Sequence, residues 1–321
     1  MKSLQHFVSN GDGWHLSLYQ TWDPEKLRKD RLPVLIVPGY GMNSFIFSYH
    51  PRGLSLEGFL AEAGLEVWRV DLRAQGESRS VGGGESYGLE DLAATDLSAA
   101  IDALLDRTRT NATSVAVLGA SLGGTIMFSH AALIPKHNIA AMVAIGSPVR
   151  WVEIHPAIRL AFGSPTLVGF VRMRGTRQIA HFALPYLLKH TPWVLSLYMN
   201  PEHVDPRAVA ELVRTVEDPN RYVNKQIARW IRDKDLVLRG TNVSTALAAV
   251  RAPLLCVVAN GDGIVPRATA EFSYRRVGTS DRTLLEVGSP EMRLAHADMF
   301  VSGEAHARVY APVRDWLLER G

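Results

Sequence analysis

The chain has 321 residues, of which 47% are hydrophobic and 21% charged, and it contains one cysteine. This apolar fraction excludes an intrinsically disordered chain, and the length suits one large α/β domain or a core domain with an inserted subdomain. A lone Cys256 excludes an internal disulfide and a zinc ribbon, and a net charge of +3 is too small to indicate nucleic-acid binding. Because we find no secretory signal and no transmembrane segment, we expect a soluble, cytoplasmic protein.

The predicted elements begin with weak alternation over the first 20 residues, which indicates an antiparallel hairpin at a sheet edge. Six short apolar runs follow, separated by helix-like segments, at 33–37, 65–72, 114–118, 140–145, 253–258 and 283–287. Runs that are apolar throughout indicate strands covered on both faces, and alternation with helices indicates parallel pairing. We therefore predict an α/β fold with a mostly parallel central sheet, helices on both faces and a terminal helix over 303–320.

One long segment interrupts this alternation. A structureless loop over residues 150–250 would be unusual in a compact domain, so we predict a helical cap, or lid, inserted into a core of residues 1–149 and 251–321. Between Arg150 and Arg232 there are 12 Lys/Arg against 6 Asp/Glu, together with nine aromatic residues. This excess of positive charge is typical of a solvated face, and it would also suit a lipid interface or an acidic substrate group.

A candidate nucleophile follows the third of the six apolar runs. Gly119-Ala120-Ser121-Leu122-Gly123 stands between a predicted strand and a predicted helix. In a sharp strand-to-helix turn, flanking glycines avoid clashes with Cβ atoms, and the serine Oγ is raised above the sheet. The alternative is an ordinary glycine-rich turn whose serine caps the helix. We favour Ser121 as the nucleophile because partners for it occur later in the chain.

A serine nucleophile needs a histidine base, and the base needs a carboxylate that orients it. Asp262 is the only carboxylate in the loop after the run at 253–258, although an Asp-Gly turn has the same appearance. Glu153, after the preceding run, is the alternative acid. Only His296 and His306 follow the last run, and we choose His296 because His306 falls inside the predicted terminal helix.

The turn after the first central strand supplies candidates for an oxyanion hole. Its sequence is Pro38-Gly39-Tyr40-Gly41, and we expect the backbone N–H groups of Tyr40 and Leu122 to bind a developing oxyanion. The two glycines of this turn would let the backbone approach a substrate carbonyl closely.

These residues resemble the α/β-hydrolase superfamily, through VLIVPGYGMN, VWRVDLRAQGES, VLGASLGG, VVANGDGIVP and AHADMF. Two positions depart from the usual pattern: Pro38-Gly39 replaces His-Gly, and Ala74 replaces a glycine. The first third also resembles polyhydroxyalkanoate synthases in part, although those enzymes use cysteine at the position of Ser121, and VWRVDLR resembles acid lipases. The resemblance implies acyl chemistry, because the haloalkane dehalogenase and epoxide hydrolase variants of the fold need an aspartate nucleophile.

The sequence thus predicts a serine hydrolase for a small, hydrophobic carboxylic ester, with no metal and no cofactor. The alternatives are an acyltransferase or thioesterase on the same triad, acting on a hydroxyacyl thioester or polyester, and a non-catalytic receptor. The sequence leaves the oligomeric state open and permits lipid contact by the basic cap. The apolar residues of the insertion would either line an acyl pocket or form its own core: Leu160, Phe162, Leu167, Phe170, Leu184, Tyr186, Leu187, Trp193 and Leu197.

Overall fold

A computed structural model describes residues 1–170, 173–203, 205 and 209–320 of the chain. The strands are β1 (Lys2–Ser9), β2 (Trp14–Trp22), β3 (Val34–Val37), β4 (Val67–Asp71), β5 (Arg79–Ser80), β6 (Val115–Ala120), β7 (Ile139–Ile145), β8 (Val237–Leu238), β9 (Thr241–Asn242), β10 (Leu254–Ala259) and β11 (Arg282–Val287).

The helices lie mostly between these strands. They are α1 (Leu56–Glu62), α2 (Leu89–Asp91), α3 (Leu97–Arg107), α4 (Leu122–Leu133), α5 (Pro156–Ala161), α6 (Pro165–Phe170), α7 (Thr176–His190), α8 (Val209–Leu212), α9 (Arg221–Asp233), α10 (Val243–Ala246), α11 (Arg267–Ala270), α12 (Phe272–Arg276), α13 (Asp298–Val301) and α14 (Ala311–Leu318). None of the helices in the described residues is both long enough and apolar enough to cross a membrane.

The main sheet has the strand order β1-β2-β4-β3-β6-β7-β10-β11, with β5 paired to β2. Strands β4, β3, β6, β7, β10 and β11 pair in parallel, and β1 and β2 add an antiparallel edge. The prediction of a mostly parallel sheet with an N-terminal hairpin at its edge is therefore confirmed. Every residue of β3 and β6 is buried, because helices cover both faces of the sheet.

Two large clusters of buried apolar side chains cover the two faces of the sheet. One cluster contains Leu104 of α3 and Phe128 of α4, and the other contains Leu60 of α1 and Tyr310 beside α14. Since strand side chains alternate between faces, Leu35 joins the first cluster and Ile36 the second. This packing fixes the carboxyl ends of the parallel strands, where the loops of interest begin.

The turn after β4 contains the position at which alanine replaces glycine. The buried Asp71 carboxylate accepts hydrogen bonds from the backbone N–H groups of Ser44 (2.7 Å) and Glu77 (3.3 Å). A Cβ at Gly76, whose φ is +48°, would overlap that carboxylate, so only glycine fits there. Ala74 takes a φ of +59°, which is a strained conformation for alanine. The substitution thus keeps the backbone path that glycine allows, at a cost in strain.

Between β7 and β10 the chain leaves the sheet for the segment that we call the insertion, residues 150–250. It carries α5 to α10 and the small hairpin β8–β9. Helix α9 buries Val223, Ile227, Trp230 and Ile231, which recur at helical spacing along one face. Residues nearer β10, such as Leu247, belong to the same buried cluster as α4.

Candidate active site

Ser121 stands at the junction between β6 and α4, in a conformation that few residues adopt. Its φ is +53° and its ψ is −121°, and its backbone N–H donates to the carbonyl of Ile145 on the neighbouring strand (2.8 Å). A Cβ at Gly123 would overlap the carbonyl oxygen of Val37. The flanking glycine is therefore required by close packing, and the strain at Ser121 is of the kind that is found at functional sites.

Asp262 and His296 form a buried pair. Oδ2 of Asp262 accepts a hydrogen bond from Nδ1 of His296 at 2.6 Å, and the two side chains are only 1% and 7% exposed. Oδ1 of Asp262 accepts two further hydrogen bonds, from the backbone N–H groups of Ile264 (2.9 Å) and Val265 (2.8 Å). Because a carboxylate only accepts, the neutral imidazole in this contact has its proton on Nδ1 and its lone pair on Nε2.

Two side chains that sequence reasoning missed hold the loops of this pair together. Asn260 accepts a hydrogen bond from the backbone of Leu294 (3.0 Å) and donates to the carbonyl of Ser289 (2.8 Å). The fully buried Asp298 carboxylate accepts from the backbone N–H of Ala295 (2.7 Å), and burial raises its pKa. Both residues thereby fix the backbone directly before His296.

Ser121 and His296 line the same cavity. No hydrogen bond within 3.5 Å joins the Oγ of Ser121 directly to His296 among the side chains that the structure describes. In enzymes without bound substrate, catalytic hydrogen bonds are often long and shorten only in the substrate complex. The structure thus brings the predicted base and acid into contact, and it places the predicted nucleophile in the same cavity as the base.

The two predicted oxyanion donors also lie at this cavity, because Tyr40 and Leu122 both line it. Within the described part of the chain, neither backbone N–H has a hydrogen-bond acceptor. A Cβ at Gly39 would lie 3.0 Å from the Cβ of Ser121, so the loop after β3 passes directly beside the serine. Two unpaired N–H groups in these positions are available for an oxyanion.

The insertion is attached to the loop after β3 that carries Tyr40. Tyr40 donates its hydroxyl hydrogen bond to Oδ1 of the buried Asn224 on α9 (2.8 Å), and Glu217 donates its backbone N–H to the carbonyl of Gly41 (2.8 Å). The side chain of Asn43 donates to the carboxylate of Glu217 (2.6 Å). The position of the Tyr40 backbone therefore depends on the insertion, a link that the sequence did not indicate.

The cavity has a volume of about 260 Å³ and is mostly apolar. Its lining residues are Tyr40, Met42, Ser121, Leu122, Pro148, Trp151, Ile158, Phe162, Tyr198, Ile227, Trp230, Ile231, Ile264, Val265 and His296. Seven of these come from the insertion, and none of the fifteen is Asp, Glu, Lys or Arg. Burial raises the pKa of Tyr198 to about 12, so its hydroxyl stays neutral.

The sequence offered two uses for nine apolar residues of the insertion, an acyl pocket or a core of the insertion, and most of the nine fulfil neither. Only Phe162 of the nine lines the cavity. Five others point to solvent and form neither the pocket nor a core of the insertion: Leu160, Leu167, Phe170, Tyr186 and Trp193, each between 62% and 84% exposed. Helical periodicity shows that a helix has an apolar face but not what covers it. The spacing of Ile227, Trp230 and Ile231 on α9 was the signal that could have identified part of the real lining.

The alternative base and acid that the sequence offered, His306 and Glu153, do not line the cavity. Nε2 of His306 donates to the carbonyl of Leu54 (2.7 Å), away from the cavity, and the side chain of Glu153 is exposed. Cys256 is buried in β10, and burial raises the pKa of its thiol to about 12. Among the described residues no group of three or more His, Cys, Asp or Glu side chains could hold a metal ion.

Comparison with known proteins identifies the family. A family model described as serine aminopeptidase, S33 (Hydrolase_4), matches residues 29–287. The chain belongs to this family. It is therefore a serine hydrolase of the α/β-hydrolase superfamily, as the sequence motifs indicated. No curated protein matches this chain in sequence.

Solved structures show the same fold over nearly the whole chain. A thermophilic esterase from Thermogutta terrifontis has a TM-score of 0.65 and 18% identity, covering 99% of each chain. The esterase RhEst1 from Rhodococcus sp. ECU1013 has a TM-score of 0.60 and 17% identity, covering 100% of each. A monoacylglycerol lipase from Paleococcus ferrophilus has a TM-score of 0.59 and 18% identity, covering 95% of this chain and 99% of its own. These comparisons do not support the partial resemblance to polyhydroxyalkanoate synthases.

Proposed function

We propose that this protein hydrolyses carboxylic esters with a hydrophobic acyl group, through Ser121, His296 and Asp262. The observation that carries this proposal is the apolar cavity of about 260 Å³ with Ser121 and His296 in its lining. At about 30 Å³ for each water-sized group, such a cavity takes on the order of eight or nine groups. We therefore expect esters of medium-length acids to be the best substrates.

In this mechanism Nε2 of His296 takes the hydroxyl proton of Ser121 while Oγ attacks the ester carbonyl. The resulting oxyanion accepts hydrogen bonds from the N–H groups of Tyr40 and Leu122. As the tetrahedral intermediate collapses, His296 passes the proton to the departing alcohol and the acyl group stays on Oγ. Water then attacks the acyl-enzyme and gives its proton to His296, which returns it to Oγ as the acid leaves. Asp262 holds the imidazole in the required tautomer throughout.

The family description, serine aminopeptidase, also suggests a second kind of substrate, a peptide with a free amino terminus. Such a substrate carries an ammonium group, and burying that charge requires a partner such as a carboxylate. The residues that line the cavity include no Asp or Glu. The lining therefore favours a neutral, apolar ester over an amino-terminal peptide.

We further propose that the insertion acts as a cap that excludes water from the acyl group, since seven of the fifteen lining residues belong to it. How well it excludes water would decide between hydrolysis and the alternative, transfer of the acyl group to an alcohol or thiol. The boundaries 1–149, 150–250 and 251–321, the cytoplasmic location and the absence of a cofactor stay predictions from the sequence.

The test combines active-site labelling with a substrate series. A fluorophosphonate probe should label the wild type and neither Ser121→Ala nor His296→Ala. On p-nitrophenyl esters from acetate to palmitate, kcat/KM should rise to a maximum near a chain of about eight carbons and fall for palmitate, following the cavity volume. Amino-acid p-nitroanilides test the peptide alternative, and an added alcohol acceptor tests transfer. Folded wild-type protein that is not labelled and hydrolyses no ester would overturn the proposal in favour of a receptor.

A further inference from the structure

Exposed apolar side chains are concentrated in one stretch of the insertion. Of the fifteen large hydrophobic residues that are exposed among those the structure describes, nine lie between residues 160 and 194. They are Leu160, Leu167, Phe170, Met173, Ile179, Phe182, Tyr186, Trp193 and Val194. We call these nine residues the exposed apolar set. Single exposed hydrophobic residues are normal on a protein surface, whereas this density of them marks a surface with a partner.

Helix α7 shows how these side chains are arranged. Ile179, Phe182 and Tyr186 are spaced by three and four residues, so they form one stripe along the helix, and they are 65%, 78% and 62% exposed. Leu184 and Leu187 on the opposite side are half-buried. A helix that is apolar on two sides is normally covered on both, but α7 is covered on one only.

The charge of this stretch restricts what can cover it. From residue 154 to residue 201 the sequence has no Asp or Glu, and it has five Lys or Arg: Arg159, Arg172, Arg174, Arg177 and Lys189. One of them, Arg177, is paired with Glu217 from outside this stretch (2.7 Å). A second copy of the chain, docked through the same surface, would bring these like charges together. An anionic partner would be attracted instead. Aromatic side chains interspersed with Arg and Lys along α7 and the short turn after it suit the interface of an anionic lipid layer.

Helix α5 lies between part of this surface and the cavity. In α5, Ile158 lines the cavity, whereas Leu160 is 84% exposed. Phe162, directly after α5, also lines the cavity and packs edge-on against Tyr40 (ring centroids 6.0 Å apart). A lipid layer held against Leu160 would thus lie one helix away from the cavity.

We propose that the exposed apolar set docks this protein onto the surface of an anionic lipid layer. The apolar side chains of the set enter the boundary between headgroups and acyl chains, and Arg159, Arg174 and Lys189 contact the anionic headgroups. Docking needs no chemistry at Ser121. A second role, delivery of hydrophobic esters from the lipid layer to the cavity, rests on the function proposed above.

The experiment measures binding to vesicles in a flotation assay. All variants carry Ser121→Ala, so that binding is measured whether or not the protein is an esterase. Vesicles of phosphatidylcholine alone are compared with vesicles that also contain phosphatidylglycerol. We expect binding to the mixed vesicles, and at least about a tenfold loss of partitioning for the double variant Phe182→Ser/Trp193→Ser. Reversal of charge, Arg159→Glu/Lys189→Glu, should remove the preference for phosphatidylglycerol.

The chain provides a matched control outside residues 160–194. Phe7 is 40% exposed on the edge strand β1 and Val237 is 58% exposed on β8, so Phe7→Ser/Val237→Ser removes two exposed apolar side chains elsewhere. This control should bind vesicles like the parent. Circular dichroism and thermal unfolding show whether each variant is folded.

Three outcomes would overturn the proposal. The parent protein binds neither kind of vesicle, or the control variant loses as much binding as Phe182→Ser/Trp193→Ser. In the third, sedimentation of the parent shows a dimer that the double variant abolishes, which would assign the surface to a second copy.

Discussion

The Asp262→Asn substitution tests the proposed triad most sharply, because the structure dictates how the new side chain must lie. Two backbone N–H groups, of Ile264 and Val265, point at Oδ1 of Asp262. An asparagine amide can satisfy them only with its oxygen, so its NH₂ group must face Nδ1 of His296. That imidazole would then accept at Nδ1 and carry its proton on Nε2. In this tautomer it cannot take a proton from Ser121.

The expected loss follows from that change of tautomer. Asparagine in place of the orienting aspartate of a serine triad costs about 10⁴ in kcat, which corresponds to about 5 kcal/mol of transition-state stabilisation. The hydrogen bonds to the backbone survive the substitution, so the unfolding temperature should change little. The rate should therefore fall by orders of magnitude in a protein that is still folded.

The assay is hydrolysis of a medium-chain p-nitrophenyl ester, with the rate of fluorophosphonate labelling measured alongside. Glu153→Gln is the matched control, since Glu153 is the alternative acid and its side chain is exposed; it should hydrolyse the ester at the wild-type rate. Asp298→Asn should lower the unfolding temperature because a buried carboxylate loses hydrogen bonds, but keep the rate within about tenfold. If Asp262→Asn keeps more than about a tenth of the wild-type kcat, the reasoning from the tautomer is refuted.

Three further predictions concern the scaffold and are all measured by urea unfolding. Gly123→Ala should destabilise the protein by several kcal/mol or prevent folding, because its Cβ would overlap the carbonyl oxygen of Val37; unchanged stability would contradict the close packing at the turn. Ala74→Gly should stabilise it by up to about 1 kcal/mol, because relief of strain at a φ of +59° exceeds the added entropy of the unfolded chain. His50→Gln should reduce acid sensitivity, because burial above all lowers the pKa of His50 from 6.5 to about 4. Between pH 6.5 and about pH 4, His50 binds a proton in the unfolded chain but not in the folded protein. The free energy of unfolding therefore falls as the pH falls through this range, by at most about 3 kcal/mol. The same pH dependence in wild type and variant would contradict this account.

Much of the fold could be predicted because its signals are local. The sequences of β3, β6 and β10 are short and apolar throughout. Strands that are buried on both faces consist almost entirely of apolar residues, so such sequences indicate them directly. The turn at Ser121 could be predicted because its motif is contiguous in sequence and Gly119 packs against Gly124 within one strand-turn-helix unit, although Gly123 also packs against Val37 of β3. The order of acid and histidine along the chain followed from the superfamily that these motifs resemble.

Apart from the contribution of α9, the lining of the cavity could not be predicted, because a helix such as α7 has more than one apolar side. Nothing in the sequence of α7 distinguishes Phe182, which points to solvent, from Leu187, which is half-buried. Which side of a helix is covered depends on the elements that pack against it, and these come from distant parts of the chain.

The sequence by itself determined the alternation of strands and helices, the tight turn at Ser121 and the residue types that acyl chemistry requires, because each depends on neighbours within a few residues. The tertiary structure alone decided that His296 meets Asp262 across 34 positions of sequence and that Tyr40 is tied to Asn224. It also decided that α9 faces the cavity while the stripe on α7 faces solvent. These contacts join residues far apart in the chain, and their geometry is set by the packing of the whole domain.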